Sequence, residues 1–187
     1  MIKKILKDAI RDKSLIGIRT KELEWGQTII GYIVNLDEVS FTINEIDEYG
    51  SLIGDTIIEI VDVLHVETND RYQKRLKLIF ENRLMFNPNN RVTIWKEGTK
   101  LVPYFKKLKE ENILSTFFLN EDDYIIGFLL DFTENYISIK NIGDEGDDDG
   151  ESCYCVENFI GLRYNGLSEQ KSKLLYENRE VFYKFNT

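Results

Sequence analysis

The spacing of apolar residues along this chain changes period several times, and each change marks an element. Ile2, Ile5, Leu6, Ala9 and Ile10 recur at helical spacing between lysines and aspartates, which predicts an amphipathic helix of about three turns. The period then drops to two. Leu15 to Glu22, Thr28 to Leu36, Ser40 to Asp47 and Thr56 to Ile60 are rich in Ile, Val, Thr and Phe and predict strands. Glu24-Trp25-Gly26-Gln27 and Leu36-Asp37-Glu38 supply the turns between them, and Tyr49 to Gly54 a longer hairpin loop. Val61-Asp62 reads as a short break before a last strand, Leu64 to Glu67. Tyr72, Leu76, Ile79 and Phe80 return to helical spacing and mark one face of a closing helix, with Asp70 placed as its N-cap.

The pattern then runs again. Gly31 to Arg83 lies without gaps on Gly127 to Arg179, 96 positions on. Gly31, Gly50 and Gly54 meet Gly127, Gly146 and Gly150, while Ile43 and Ile46 meet Ile139 and Ile142. Glu81-Asn82-Arg83 meets Glu177-Asn178-Arg179. A register that keeps both turn glycines and core positions predicts an internal duplication of a whole small domain. The second copy reads as a helix beginning near Leu101, with Pro103 in its first turn. Strands follow at Asn112 to Leu119, Tyr124 to Phe132, Tyr136 to Ile142, Ser152 to Val156 and Ile160 to Tyr164, then a helix after Ser168 with Leu174 and Leu175 on its face. The turn cluster Asn87-Pro88-Asn89-Asn90 sets the boundary, giving domains 1–91 and 97–187, with Val92 to Lys96 outside the duplication.

Composition narrows the classes. The formal charge of −9 argues against a general nucleic-acid binder, which needs clustered Lys and Arg for phosphates, and most of the excess acid lies in the second half. Asp8 and Asp12 interrupt what would have to be the apolar core of a signal peptide, and no run of about eighteen apolar residues exists to span a membrane. Cys153 and Cys155 do not make a disulfide framework, so a cytoplasmic protein is the expectation.

Helix, then short strands with a break before the last, is the order of an Sm-like, SH3-type small barrel. Gly31-Tyr32-Ile33-Val34-Asn35-Leu36-Asp37 resembles the opening of the first Sm motif, and Ile57 to Ile60 followed by Val63 to Glu67 is similar to the fourth and fifth strands of that family. The resemblance covers about fifty residues of each copy and implies tandem five-stranded barrels, an arrangement similar to that of small uncharacterised bacterial proteins with two such barrels. RNA-gripping Sm proteins carry a Met-Asn pair after the aspartate and an Arg-Gly pair after strand four. Ser40-Phe41 and Val61-Asp62 stand near those places here, and Thr133 replaces the aspartate in the second copy, so RNA binding does not carry over.

Each local feature with possible chemistry has a plainer reading. Asp144-Glu145-Gly146-Asp147-Asp148-Asp149-Gly150-Glu151 has carboxylates enough for a hard cation, but an EF-hand loop begun at Glu145 would close on Val156, and a solvated hairpin tip is expected. An acidic face for a basic partner is the other reading of that loop. Cys153 and Cys155 share one strand face and are half of a zinc site with no further cysteine, so one thiol is expected to pack and the other to sit at the surface. His65, the only histidine, meets Gly161 in the second copy and is expected to be a strand residue. Trp25, Tyr49 and Leu52 are candidates for an exposed sticky surface unless they fold back over the sheet. No catalytic, cofactor-binding or metal-binding residues can be assembled.

The sequence thus leads to a mainly β protein of two tandem Sm-like barrels with flanking helices. The expected function is non-catalytic: binding a protein partner, with an acidic antidote to a basic toxin as one concrete version. An RNA-binding Sm-like regulator and an unrecognised small enzyme are the alternatives. A monomer whose halves pair as a pseudo-dimer through a shared apolar interface is expected, since a domain of this size is marginal alone.

Overall fold

Helix α1 (Ile2–Asp12) buries Leu6 and Ala9 and stops at Lys13, which turns left-handed (φ 47°) and returns its N–H to the carbonyls of Ala9 and Ile10. It packs under an antiparallel sheet of β1 (Ile16–Thr20), β2 (Ile29–Leu36), β3 (Ser40–Ile46), β4 (Leu52–Glu59) and β5 (Val63–Thr68), in the order β4-β3-β2-β1-β5. Leu6, Ile16, Ile18, Phe41 and Ile43 form the core on that side. Alternate residues face the other way, and there Leu15, Ile46 and Tyr32 meet Leu76 and Phe80 of α2 (Arg71–Asn82). Asp70 caps α2 as the sequence predicts, its carboxylate accepting from the Gln73 N–H at 2.7 Å. The computed structural model describes residues 1–22, 27–96 and 100–183, and the chain divides into units 1–83 and 84–187.

The second unit opens with β6 (Val92–Trp95) and continues with α3 (Val102–Glu110), β7 (Leu114–Phe118), β8 (Tyr124–Phe132), β9 (Tyr136–Ile142), β10 (Asp148–Cys155), β11 (Gly161–Tyr164), α4 (Leu167–Glu177) and α5 (Arg179–Tyr183). Its six-stranded sheet runs β10-β9-β8-β7-β11-β6. Phe105, Leu108, Phe117, Ile139 and Leu162 fill one side and Leu114, Ile126, Phe128 and Ile142 the other.

The units share their irregularities. A bulge follows Ile33 in β2 and Leu129 in β8, and Ile33 faces Ile43 as Leu129 faces Ile139. Asn69 and Asn165 both adopt positive φ between last strand and helix. Arg83 donates to Phe80 O at 2.6 Å while lying over its ring, and Arg179 does the same at Tyr176 at 2.7 Å. That is what the repeated Glu-Asn-Arg triplet is for: its Asn and Arg close the helix by bonding carbonyls of the last turn.

The structure adds to the sequence reading and changes parts of it. The compact units meet in sequence at Arg83/Leu84, and the turn cluster belongs with the second unit, the Asn87 N–H and carbonyl both being bonded to the Gln170 side chain (2.9 and 3.0 Å). Residues 92–95 form a strand. The spacing of 96 holds from Gly31 onward but becomes 99 before it: Leu6 and Ala9 match Phe105 and Leu108, and Ile16 pairs with Gly31 as Ser115 pairs with Gly127. The connection 21–28 is longer than 119–123, which absorbs the difference. Finally, β4 and β10 begin at Leu52 and Asp148, earlier than predicted, and neither sheet closes into a barrel, since its end strands do not pair.

Candidate interaction surface

Asp37 is consumed by its own turn. Asp37 Oδ1 accepts from the N–H groups of Val39 (2.8 Å) and Ser40 (2.7 Å), and these bonds hold its carboxyl below the usual range. Thr133 does the same with one hydroxyl, accepting from Asn135 (3.3 Å) and Tyr136 (3.0 Å). At both positions the side chain serves as an N–H acceptor in a turn.

The acidic stretch 144–151 is only partly a hairpin tip. Asp148 to Glu151 belong to β10, and Asp148 pairs with Lys140 at 3.0 Å, the contact that lowers its pKa and raises that of Lys140. Among the described residues no group of three His, Cys, Asp or Glu is placed to hold a metal ion. Cys153 is exposed and Cys155 half-buried; Tyr154 between them is the residue that turns inward, its ring 5.7 Å from that of Phe159. His65 lies exposed on β5 with Nδ1 3.5 Å from Glu67, which also takes Arg19 at 3.2 Å. Leu52 is exposed, Tyr49 is half-buried, and Trp25 lies outside the described residues. Within the first unit, His65 on β5 and Leu52 on β4 stand on opposite end strands of the sheet.

What the structure does assemble is an apolar surface at one end of the first sheet. The Ile60 N–H donates to Val39 O at 2.9 Å, which ties the β2–β3 turn to the short 3-10 turn Ile60–Asp62 ahead of β5. Val39 (70% exposed), Val61 (70%) and Leu64 (64%) project from this junction. The second unit keeps the backbone, with the Val156 N–H donating to Asn135 O at 2.8 Å, but places Asn135, Glu157 and Ile160 at the same positions. The contrast extends along the edge strands. Leu52, Ile53 and Ile57 on β4 are exposed, and their counterparts on β10 are Asp148, Asp149 and Cys153.

The last strands differ as well. In the second unit β6 pairs antiparallel with β11, so that Ile94 reaches the core beside Leu162 and Trp95 lies against Phe118, ring centroids 5.1 Å apart. Lys96 Nζ donates to the carbonyls of Val156 (3.4 Å) and Glu157 (2.9 Å), covering the 3-10 turn. In the first unit β5 pairs with β1 alone and ends the sheet. Polar groups under the two helices differ too: Glu169 of α4 is buried with Arg163 (2.8 Å) and Thr116, where the first unit has Gln73, Glu67 and Gly17. The signal for this surface was present in the sequence as aliphatic residues aligned with polar or acidic ones of the second unit, Val39 with Asn135, Val61 with Glu157, and Leu52 and Ile53 with Asp148 and Asp149.

No family model, no curated protein and no solved structure matches this chain. No helix among the described residues is long and apolar enough to cross a membrane.

Proposed function

We propose that this chain is a non-catalytic protein-binding protein and that it engages its partner through the first unit, at the surface around Val39, Val61 and Leu64. One observation carries the reading: three aliphatic side chains stand mostly in water at positions where the second unit has Asn135, Glu157 and the less exposed Ile160. Clustered exposed apolar residues on a folded domain mark contact surfaces, and the turn that presents them is rigidly bonded rather than open to collapse. The same reading takes the units as copies of one Sm-like module whose second copy became acidic. The shared bulge, paired left-handed asparagines and repeated Arg cap support that descent.

The test is capture from an extract of the source cells with the native chain and with Val61→Glu. The expected result is a defined co-isolating protein that binds the native chain in purified form and is lost with the variant at unchanged melting temperature. Equal retention by the variant, or no protein that rebinds after purification, overturns the reading.

A further inference from the structure

We propose that the outer edge of β5 is a docking edge for an extended segment of the protein partner, added antiparallel as β6 is added to β11. This rests on the protein-binding reading above and specifies the segment. The argument uses the second unit as a filled version of the same edge. There the Lys96 N–H donates to Ile160 O at 2.8 Å, and in an antiparallel ladder alternate residues face the neighbour, so Ile94 and Val92 present their N–H groups to β11 as well. Leu162 and Tyr164 answer from β11, and their counterparts on β5 are Val66 and Thr68. The peptide groups of those two residues point away from β1 with no strand beside them among the described residues.

The side chains along the two edges say what would fit. Ile94 faces Leu162 and is buried with it, whereas Val66 is only half-buried against its core. A β-branched aliphatic residue opposite Val66 would extend that core by one side chain. Trp95 faces Gly161 so closely that a Cβ there would stand 2.6 Å from its ring. The first unit has His65 at this place, so the segment must carry a small side chain opposite it. Lys96 covers the turn Val156–Asn158 by bonding its carbonyls. In the matching turn, Ile60–Asp62, the Ile60 and Asp62 carbonyls accept from the N–H groups of Val63 and Lys21, and Asp62 pairs with Lys21 at 3.2 Å, but no lysine of a neighbouring strand lies over the turn as Lys96 does, and Glu59 just before it favours Lys or Arg by charge. Val61 and Leu64 would then lie against the aliphatic stem of that basic residue. The occupant is therefore a partner strand reading aliphatic, polar, β-branched, small, basic. Main-chain pairing supplies the affinity and the alternating side chains the choice.

The probe is the acetylated, amidated peptide of residues Arg91 to Lys96 carrying Trp95→Thr, added to the full chain. Amide exchange at Val66 and Thr68 should slow at least about five-fold at millimolar peptide while the second unit is unchanged. Two N-methylated forms make the test specific. Methyl groups on the amides of Ile94 and Lys96, which face the edge, should abolish the protection, and methyl groups on Thr93 and position 95, which face outward, should leave it. Equal behaviour of the two forms, protection by a scrambled peptide, or protection away from β5 overturns the docking edge. If the edge fails in this way while Val61→Glu still releases a captured protein, the binding reading stands and only the strand mode falls.

Discussion

Single side chains in this protein are committed to backbone geometry more than to chemistry. Asp37 is the clearest case. Its folded pKa lies below the ordinary value of about 3.9, so its contribution is present above that value and is lost as pH falls through the lowered folded pKa. Asp37→Ala should therefore lower the melting temperature at neutral pH, and the difference from the native chain should shrink in acid titration followed by thermal unfolding. Gly146 offers a second test. It adopts φ 77°, and an added Cβ would stand 2.5 Å from Leu175 Cβ, whereas Gly150 adopts φ 82° with nothing within 4 Å. Gly146→Ala should cost about 3 kcal/mol or more in denaturant unfolding, and Gly150→Ala only about 1–2 kcal/mol. The buried Arg163–Glu169 pair gives a third: Arg163→Ala strands a carboxylate that is 2% exposed and should cost roughly 3–5 kcal/mol. The glycines were legible in the sequence because they recur in register. The buried pair was not, since Arg163 and Glu169 read as polar strand and helix residues until the fold set them together.

At the level of elements, the alternation of Ile, Val and Phe placed the strands because both faces of each sheet are covered by helices that demand apolar partners. The errors have physical causes. Strands β4 and β10 begin early because pairing continues through Gly54 and resumes at Asp148 beyond an irregularity at Asp149 and Gly150, where glycine reads as loop. Strand β6 was missed because four residues with one buried side chain carry little periodicity, and because no segment of the first unit matches it in sequence. Its weight is nonetheless testable. Ile94→Asp puts a charge beside Leu162 and should detach β6, read as fast amide exchange along β11, with a cost of several kcal/mol to the second unit.

Across the whole molecule, the two sheets treat their free ends differently. β10 is guarded by Asp148, Asp149 and Glu151, while β4 shows Leu52, Ile53 and Ile57. Charged edges resist pairing with other chains and apolar ones invite it. Ile57→Lys should thus reduce concentration-dependent association in sedimentation velocity while shifting stability by no more than about 0.5 kcal/mol. The five strands of the first unit and five of the six in the second, with their flanking helices, were legible from the repeated pattern. Whether the strands would close was not, because closure depends on how end strands curve toward each other, and no residue type announces that.

Strand β6 also has a consequence in time. During synthesis its residues emerge after β5 is complete, but β11 follows only after β10 and the whole of α3 to β9. If the edge of β5 accepts a strand of this pattern, β6 has a nearer resting place before its own exists, and loop closure favours the nearer one only slightly. The opposed demands of Trp95 on Gly161 and on His65 then decide the final choice, since the ring that fits over the glycine is excluded by the imidazole. His65→Gly should remove that discrimination and add a slow refolding phase, seen by stopped-flow Trp95 fluorescence, which disappears when Ile94 is also replaced by Asp.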